Sequence, residues 1–173
     1  MEIIRADHSG FCFGVEKAID KTFERIDKAK KDCRTTYTCG NLIHNKSVTD
    51  KVASMGVKMI SSLDDAKAGD VVIVRSHGEP KEFYDKAESM GIELIDTTCV
   101  FVTKIHKLVL SAYKEGRPII IVGSANHQEV KATNGWCHYS ATILENEEEA
   151  MEFVKQYDHD KVPLIVCQTT IRR

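Results

Sequence analysis

Val71-Val72-Ile73-Val74-Arg75-Ser76-His77 decides the fold of this chain. Four consecutive β-branched aliphatic residues show no alternation, so both faces of this strand must be covered, as in a parallel sheet. The strand then opens into a polar turn that carries a histidine. Working outward, the same arrangement recurs. Arg34-Thr35-Thr36-Tyr37-Thr38-Cys39-Gly40 leads to His44, and Leu94-Ile95-Asp96-Thr97-Thr98 leads to Cys99. Ile119-Ile120-Ile121-Val122-Gly123 leads to His127, and a short apolar run near the N-terminus leads to Gly10-Phe11-Cys12. Open parallel sheets bind ligands outside the carboxyl ends of their strands. The repetition therefore points to several His and Cys side chains converging on one polar site.

Helical patterns separate these strands. Val15, Ala18, Ile19, Thr22, Phe23 and Ile26 share one face at three- and four-residue spacing, with Lys17, Lys21, Glu24 and Lys28 opposite. Further helices are predicted from Asn45 to Met55 and from Pro80 to Met90, ended by Gly56 and Gly91. The best-defined helix begins near Cys99, carries Val102, Ile105, Leu108, Val109 and Ala112, and stops at Gly116. Strand-forming runs are read at 2–5, 34–38, 70–75, 92–95, 118–123 and 162–167. Strand and helix alternate, which predicts an α/β fold with small, mostly parallel sheets flanked by helices. The rhythm restarts after Cys99, dividing the chain into two related lobes at 1–98 and 99–173. The second is expected to end just after the strand Leu164-Ile165-Val166-Cys167, giving the look of an interrupted architecture.

The 173 residues are 42% hydrophobic and 29% charged, the balance of a soluble globular chain. A net charge of −2 provides no global attraction to nucleic acid or an anionic membrane. No apolar run reaches the roughly 20 residues that span a bilayer, and the N-terminus lacks the pattern of a signal peptide. The expected location is the cytoplasm, where six cysteines read as metal ligands, catalytic thiols or core residues rather than disulfides. There is no C-x-x-C pair, so nothing supports a zinc ribbon or a thioredoxin-type couple.

Cys12 stands between Gly10 and Gly14 at the mouth of a helix, and Cys99 follows Asp96-Thr97-Thr98 at another. A helix N-terminus stabilises a thiolate, so both suit metal binding or nucleophilic chemistry; the bland reading is a small Cys buried in a tight turn. Cys167 ends an apolar run and is expected in the core, and Cys39 could lie near the site. His44, His77 and His127 occupy equivalent strand-end positions and suit anion binding beside helix N-terminal amides. A tri-histidine zinc site is the chemical alternative. Glu129 follows His127 closely and could relay a proton, or could be an exposed carboxylate favoured at a helix start. Thr169 and Thr170 offer hydroxyls at a further strand end, and His106 reads as a surface or packing residue.

In this order, the motifs Gly10-Phe11-Cys12-Phe13-Gly14-Val15, Ile43-His44-Asn45, Ser76-His77-Gly78, Asp96 through His106, His127-Gln128-Glu129-Val130 and Gln168-Thr169-Thr170 resemble the 4-hydroxy-3-methylbut-2-enyl diphosphate reductase family. The resemblance implies a [4Fe-4S] cluster held by three Cys, with Cys12 and Cys99 matching two of them. It implies that His44, His77 and His127 hold the substrate diphosphate, that Glu129 relays protons and that Thr169 adds a hydroxyl. The implied reaction is a two-electron, two-proton reductive dehydroxylation giving isopentenyl and dimethylallyl diphosphates. Electrons would come from an external donor such as ferredoxin or flavodoxin. The sequence departs from the family at Val100 and Gln128, where Pro is usual, and at Ala132, where Gly is common. Family members continue into a third α/β lobe carrying the third Cys ligand. The resemblance thus implies a fragment, lacking that lobe, that alone is inactive or holds its cluster poorly. The alternative is a non-enzymatic diphosphate- or metal-binding remnant.

Overall fold

The computed structural model describes Ile4, residues 10–40 and residues 45–171. The expected strand at 2–5 and the candidate ligand His44 lie outside the described residues, Ile4 excepted. The remainder is α/β with two parallel sheets.

In the first sheet the strands lie in the order β2-β1-β3-β4: β1 is Thr36–Cys39, β2 Lys58–Ile60, β3 Val71–Val74 and β4 Glu93–Asp96. Helix α1 (Phe13–Lys31) precedes it, α2 (Lys46–Ser54) joins β1 to β2, and α3 (Lys81–Ser89) joins β3 to β4. The unbroken aliphatic run of β3 is explained by its central place. Val71 and Ile73 pack with Ile19, Ile26 and Ala29 of α1 and Val52 of α2. Val72 points the other way, onto Leu63 and Ala66 of a short 3-10 turn and Ala87 of α3. Side chains alternate across a strand, so consecutive buried residues serve two different cores. Fully burying Ile73 is worth about 2–3 kcal/mol.

The second sheet has the order β6-β5-β7: β5 is Ile119–Val122, β6 Thr142–Leu144 and β7 Leu164–Cys167. Helix α4 (Val100–Lys114) leads into β5, α5 (Gln128–Gly135) joins β5 to β6, and α6 (Glu147–Gln156) joins β6 to β7. The crossover from β5 to β6 runs in the opposite direction from that between β6 and β7. Right-handed connections therefore put α5 and α6 on opposite faces. Ile119, Ile121 and Val166 bury against Val109 and Ala112 of α4 and Val130 of α5.

Most of the sequence expectations hold within one or two residues. β2, β6, α5 and α6 were not expected. Cys167 is exposed, a correction to its expected place in the core, because among the described residues little covers the face of β7 that it shares with Ile165. His106 is only 2% exposed, which decides for packing over surface.

Candidate functional site

Helix starts, rather than strands alone, assemble the site. Cys12 is the N-cap of α1, Asn45 of α2, Cys99 of α4 and His127 of α5. Asn45 caps through its side chain, which accepts from the Val48 amide. Cys12, Asn45, Cys99 and Glu129, in the first turn of α5, line one cavity of about 780 Å³. The free amides and positive dipole ends of four helices thus approach a common space. That arrangement favours thiolates and anionic ligands.

The two thiols come from separate parts of the chain, yet their turns pack together. A Cβ added at Gly14 would stand 3.1 Å from the Cys99 Sγ. Glycine at this position lets the first turn of α1 pack closely against that sulfur. The Cys99 amide donates to the Ser76 carbonyl at 3.0 Å, fastening the start of α4 to the turn that carries His77. Ser76 and His77 themselves line the cavity.

His77 and His127 stand edge to face, with ring centroids 5.7 Å apart and planes at 80°. The Glu129 amide donates to His127 Nδ1 at 3.2 Å. A nitrogen that accepts carries no proton, so in the neutral ring the proton sits on Nε2, ready to donate to a ligand oxygen. Glu129 is 2% exposed, not the solvated helix-start carboxylate that was the alternative. Its two oxygens accept from the Thr169 amide at 2.6 Å and the Thr169 hydroxyl at 2.8 Å. A buried carboxyl fixed at both oxygens keeps one orientation toward the cavity it lines.

Cys12, Cys99, His77, Glu129, Thr169 and Thr170 thus line one space, with His127 beside His77. Cys39 does not join them; it lines a separate hollow with Gly40, Ser61 and Arg75, where burial chiefly raises its thiol pKa. Cys137 is buried in the second core. Among the described residues, no three His, Cys, Asp or Glu side chains are grouped so as to hold a metal ion. Cys12 and Cys99 bring two thiols to the cavity, fewer than the full ligand set of an iron–sulfur cluster. Asn45 and Ser76 also line the cavity; the sequence motifs contain both, but neither was given a site role. Asn45 had a legible signal, an Asn directly before a helical pattern.

The LytB protein family matches residues 3–173. The 4-hydroxy-3-methylbut-2-enyl diphosphate reductase of Alkaliphilus oremlandii is 44% identical over 176 residues, covering 99% of this chain and 59% of that protein. The reductase of the same name from Caldanaerobacter subterraneus subsp. tengcongensis is 45% identical over 152 residues, covering 87% of this chain and 52% of that protein. The chain thus spans somewhat over half the length of these curated relatives. A solved structure of (E)-4-hydroxy-3-methyl-but-2-enyl diphosphate reductase, the terminal enzyme of the non-mevalonate pathway, superposes with a TM-score of 0.78 at 35% identity, over 98% of this chain and 59% of that one. The Plasmodium falciparum E-1-hydroxy-2-methyl-but-2-enyl-4-diphosphate reductase structure gives a TM-score of 0.84 at 30% identity, over 95% of this chain and 50% of that one.

Proposed function

The chain belongs to the LytB protein family, and on that premise we propose that it forms one wall of the active site of a 4-hydroxy-3-methylbut-2-enyl diphosphate reductase. One observation carries this reading. Two thiols, an edge-to-face histidine pair and a buried carboxyl held by Thr169 meet where four helices begin.

In this reading residues 1–98 and 99–173 are two lobes meeting at the cavity. Cys12 and Cys99 would be two of the thiolates that hold a [4Fe-4S] cluster. Such a cluster supplies electrons and a Lewis-acidic position for the leaving oxygen. The chain's own residues bind, orient and protonate. His127 donates through Nε2 to a diphosphate oxygen, and His77, at right angles beside it, takes another. His44 completes the histidine set from outside the described residues. Glu129 carries a proton to the hydroxyl that departs as water, and Thr169 fixes the direction of that carboxyl. Two electrons and two protons are consumed per substrate, with the electrons coming from a ferredoxin- or flavodoxin-like donor. A cytoplasmic location fits this chemistry, and among the described residues no helix is long and apolar enough to cross a membrane.

The test pairs anaerobic reconstitution with calorimetric titration of inorganic pyrophosphate. Iron and sulfide uptake that falls in both Cys12→Ser and Cys99→Ser is expected. Pyrophosphate affinity should weaken at least tenfold in His77→Ala and His127→Ala, while Glu129→Gln should stay within a few-fold. Zinc retention without colour would instead support the hydrolase alternative. Pyrophosphate binding without iron uptake would identify a diphosphate-binding module without redox chemistry.

A further inference from the structure

Arg75 lies directly behind the histidine site, outside the wall of the main cavity. Its guanidinium pairs with two chain segments and lies beside a third. Nε pairs with Glu79 Oε1 at 2.8 Å, across the turn that carries His77. Nη2 donates to Gln128 Oε1 at 3.3 Å, the residue next to His127. Nη1 lies 3.4 Å from where a Cβ at Gly40 would stand, at the strand end from which the chain runs on to His44. The segments that carry His77 and His127 therefore meet at a single side chain, beside the end of β1.

We propose that Arg75 is a positioning residue of the anion site, setting the spacing of the segments that carry His77 and His127 without touching the ligand. The claim rests on the diphosphate-binding reading of His77 and His127. A guanidinium suits this task because its donors lie in one rigid plane and point in different directions at once. An ammonium is a single point charge and can serve one of these partners well, but not two on opposite sides. Glu79 anchors the assembly. Its side chain is 7% exposed, its backbone carbonyl accepts from Trp136 Nε1 at 3.1 Å, and Arg75 counteracts the upward push of burial on its pKa. Because Trp136 directly follows α5, this bond ties the same turn to the far end of the helix that His127 caps. The tie from Arg75 runs through the side chain of Gln128, so it can be removed at that residue without altering His127 itself.

Pyrophosphate titration of the full chain, alongside thermal unfolding, tests the proposal. Arg75→Lys keeps a cation beside buried Glu79, so the fold should survive where Arg75→Ala would strand a buried carboxylate. It should nonetheless weaken pyrophosphate binding by about tenfold. Gln128→Ala should weaken binding about threefold, and the double variant should be no worse than Arg75→Lys alone, because both remove the same tie. The proton-detected ring signals of His77 and His127 should shift in Arg75→Lys. Val109→Ala, which loosens the second core, should lower the melting temperature and leave affinity and ring signals unchanged. Affinity within twofold of the parent in Arg75→Lys, or fully additive losses in the double variant, would overturn the proposal. If His77→Ala and His127→Ala bind as the parent does, or the parent binds no pyrophosphate, the site reading fails and takes this proposal with it.

Discussion

The two sheets share a motif but differ in how fully they are covered. In the first, β3 is flanked on both edges and both faces, and Val72 and Ile73 bury in separate cores at 0% exposure. The second repeats the β2-β1-β3 arrangement as β6-β5-β7 but, among the described residues, has no counterpart of β4 or α3. Its α4–α5 face carries the second core. Among the described residues its other face holds only α6, leaving a groove of about 550 Å³ lined by Ile120, Val122, Phe153, Val154 and Ile165. Ile165 in β7 is 59% exposed, although its sequence context is as aliphatic as that of Ile73. An apolar run can therefore specify a strand without specifying that both of its faces are buried.

The largest expected effect lies in the covered sheet. Ile73→Ala should cost about 2–5 kcal/mol by chemical denaturation, since a cavity opens in a core with no room to relax. A cost as large for Ile165→Ala would break the contrast.

The junction between the sheets should respond to acid. His106 of α4 stacks on Trp136 at 5.1 Å and lies beneath Gly78, whose absent Cβ would come within 2.6 Å of its ring. Burial, partly opposed by Asp96, pushes its pKa from 6.5 down to about 4, and its buried Nε2 has no protein hydrogen-bond partner. Between these values the unfolded chain binds the extra proton. The contribution of neutral His106 is thus full above pH 6.5 and is lost as pH falls toward 4, by up to about 3 kcal/mol. His106→Phe should flatten that part of the stability–pH curve; an unchanged slope would contradict the assignment.

Smaller effects fall on the second sheet. Thr169→Val removes one donor from buried Glu129 and leaves the backbone donor, so about 1–2 kcal/mol should be lost in urea unfolding. Ile165→Thr should change stability by only about 0.5 kcal/mol or less while lowering the binding of a hydrophobic dye. Undiminished dye binding would place the exposed apolar surface elsewhere.

Several elements escaped the sequence reading for identifiable reasons. β2 and β6 are three-residue edge strands, Lys58-Met59-Ile60 and Thr142-Ile143-Leu144, too short to show a period. Helix α5 buries Thr133, Asn134 and Gly135 along with Val130 and Ala132, so it has no polar face to set against an apolar one. Helix α6 had a readable start, in which Asn146 accepts from the Glu149 amide and the Glu149 side chain accepts from the Asn146 amide group. The run Glu147-Glu148-Glu149 concealed it as a charged stretch.

By itself the sequence determined the strand-and-helix alternation, the parallel class of the sheets, and the His and Cys residues at strand ends. These follow from local steric preference and hydrophobic period, which act along the chain. Only the tertiary structure decided that four helix starts share one cavity and that Glu129 is buried under Thr169. It likewise placed Arg75 against Gly40, Glu79 and Gln128, and left Ile165 and Cys167 exposed. Those outcomes depend on which faces meet across long stretches of sequence. Burial and electrostatic environment belong to that packing, and no local pattern encodes them.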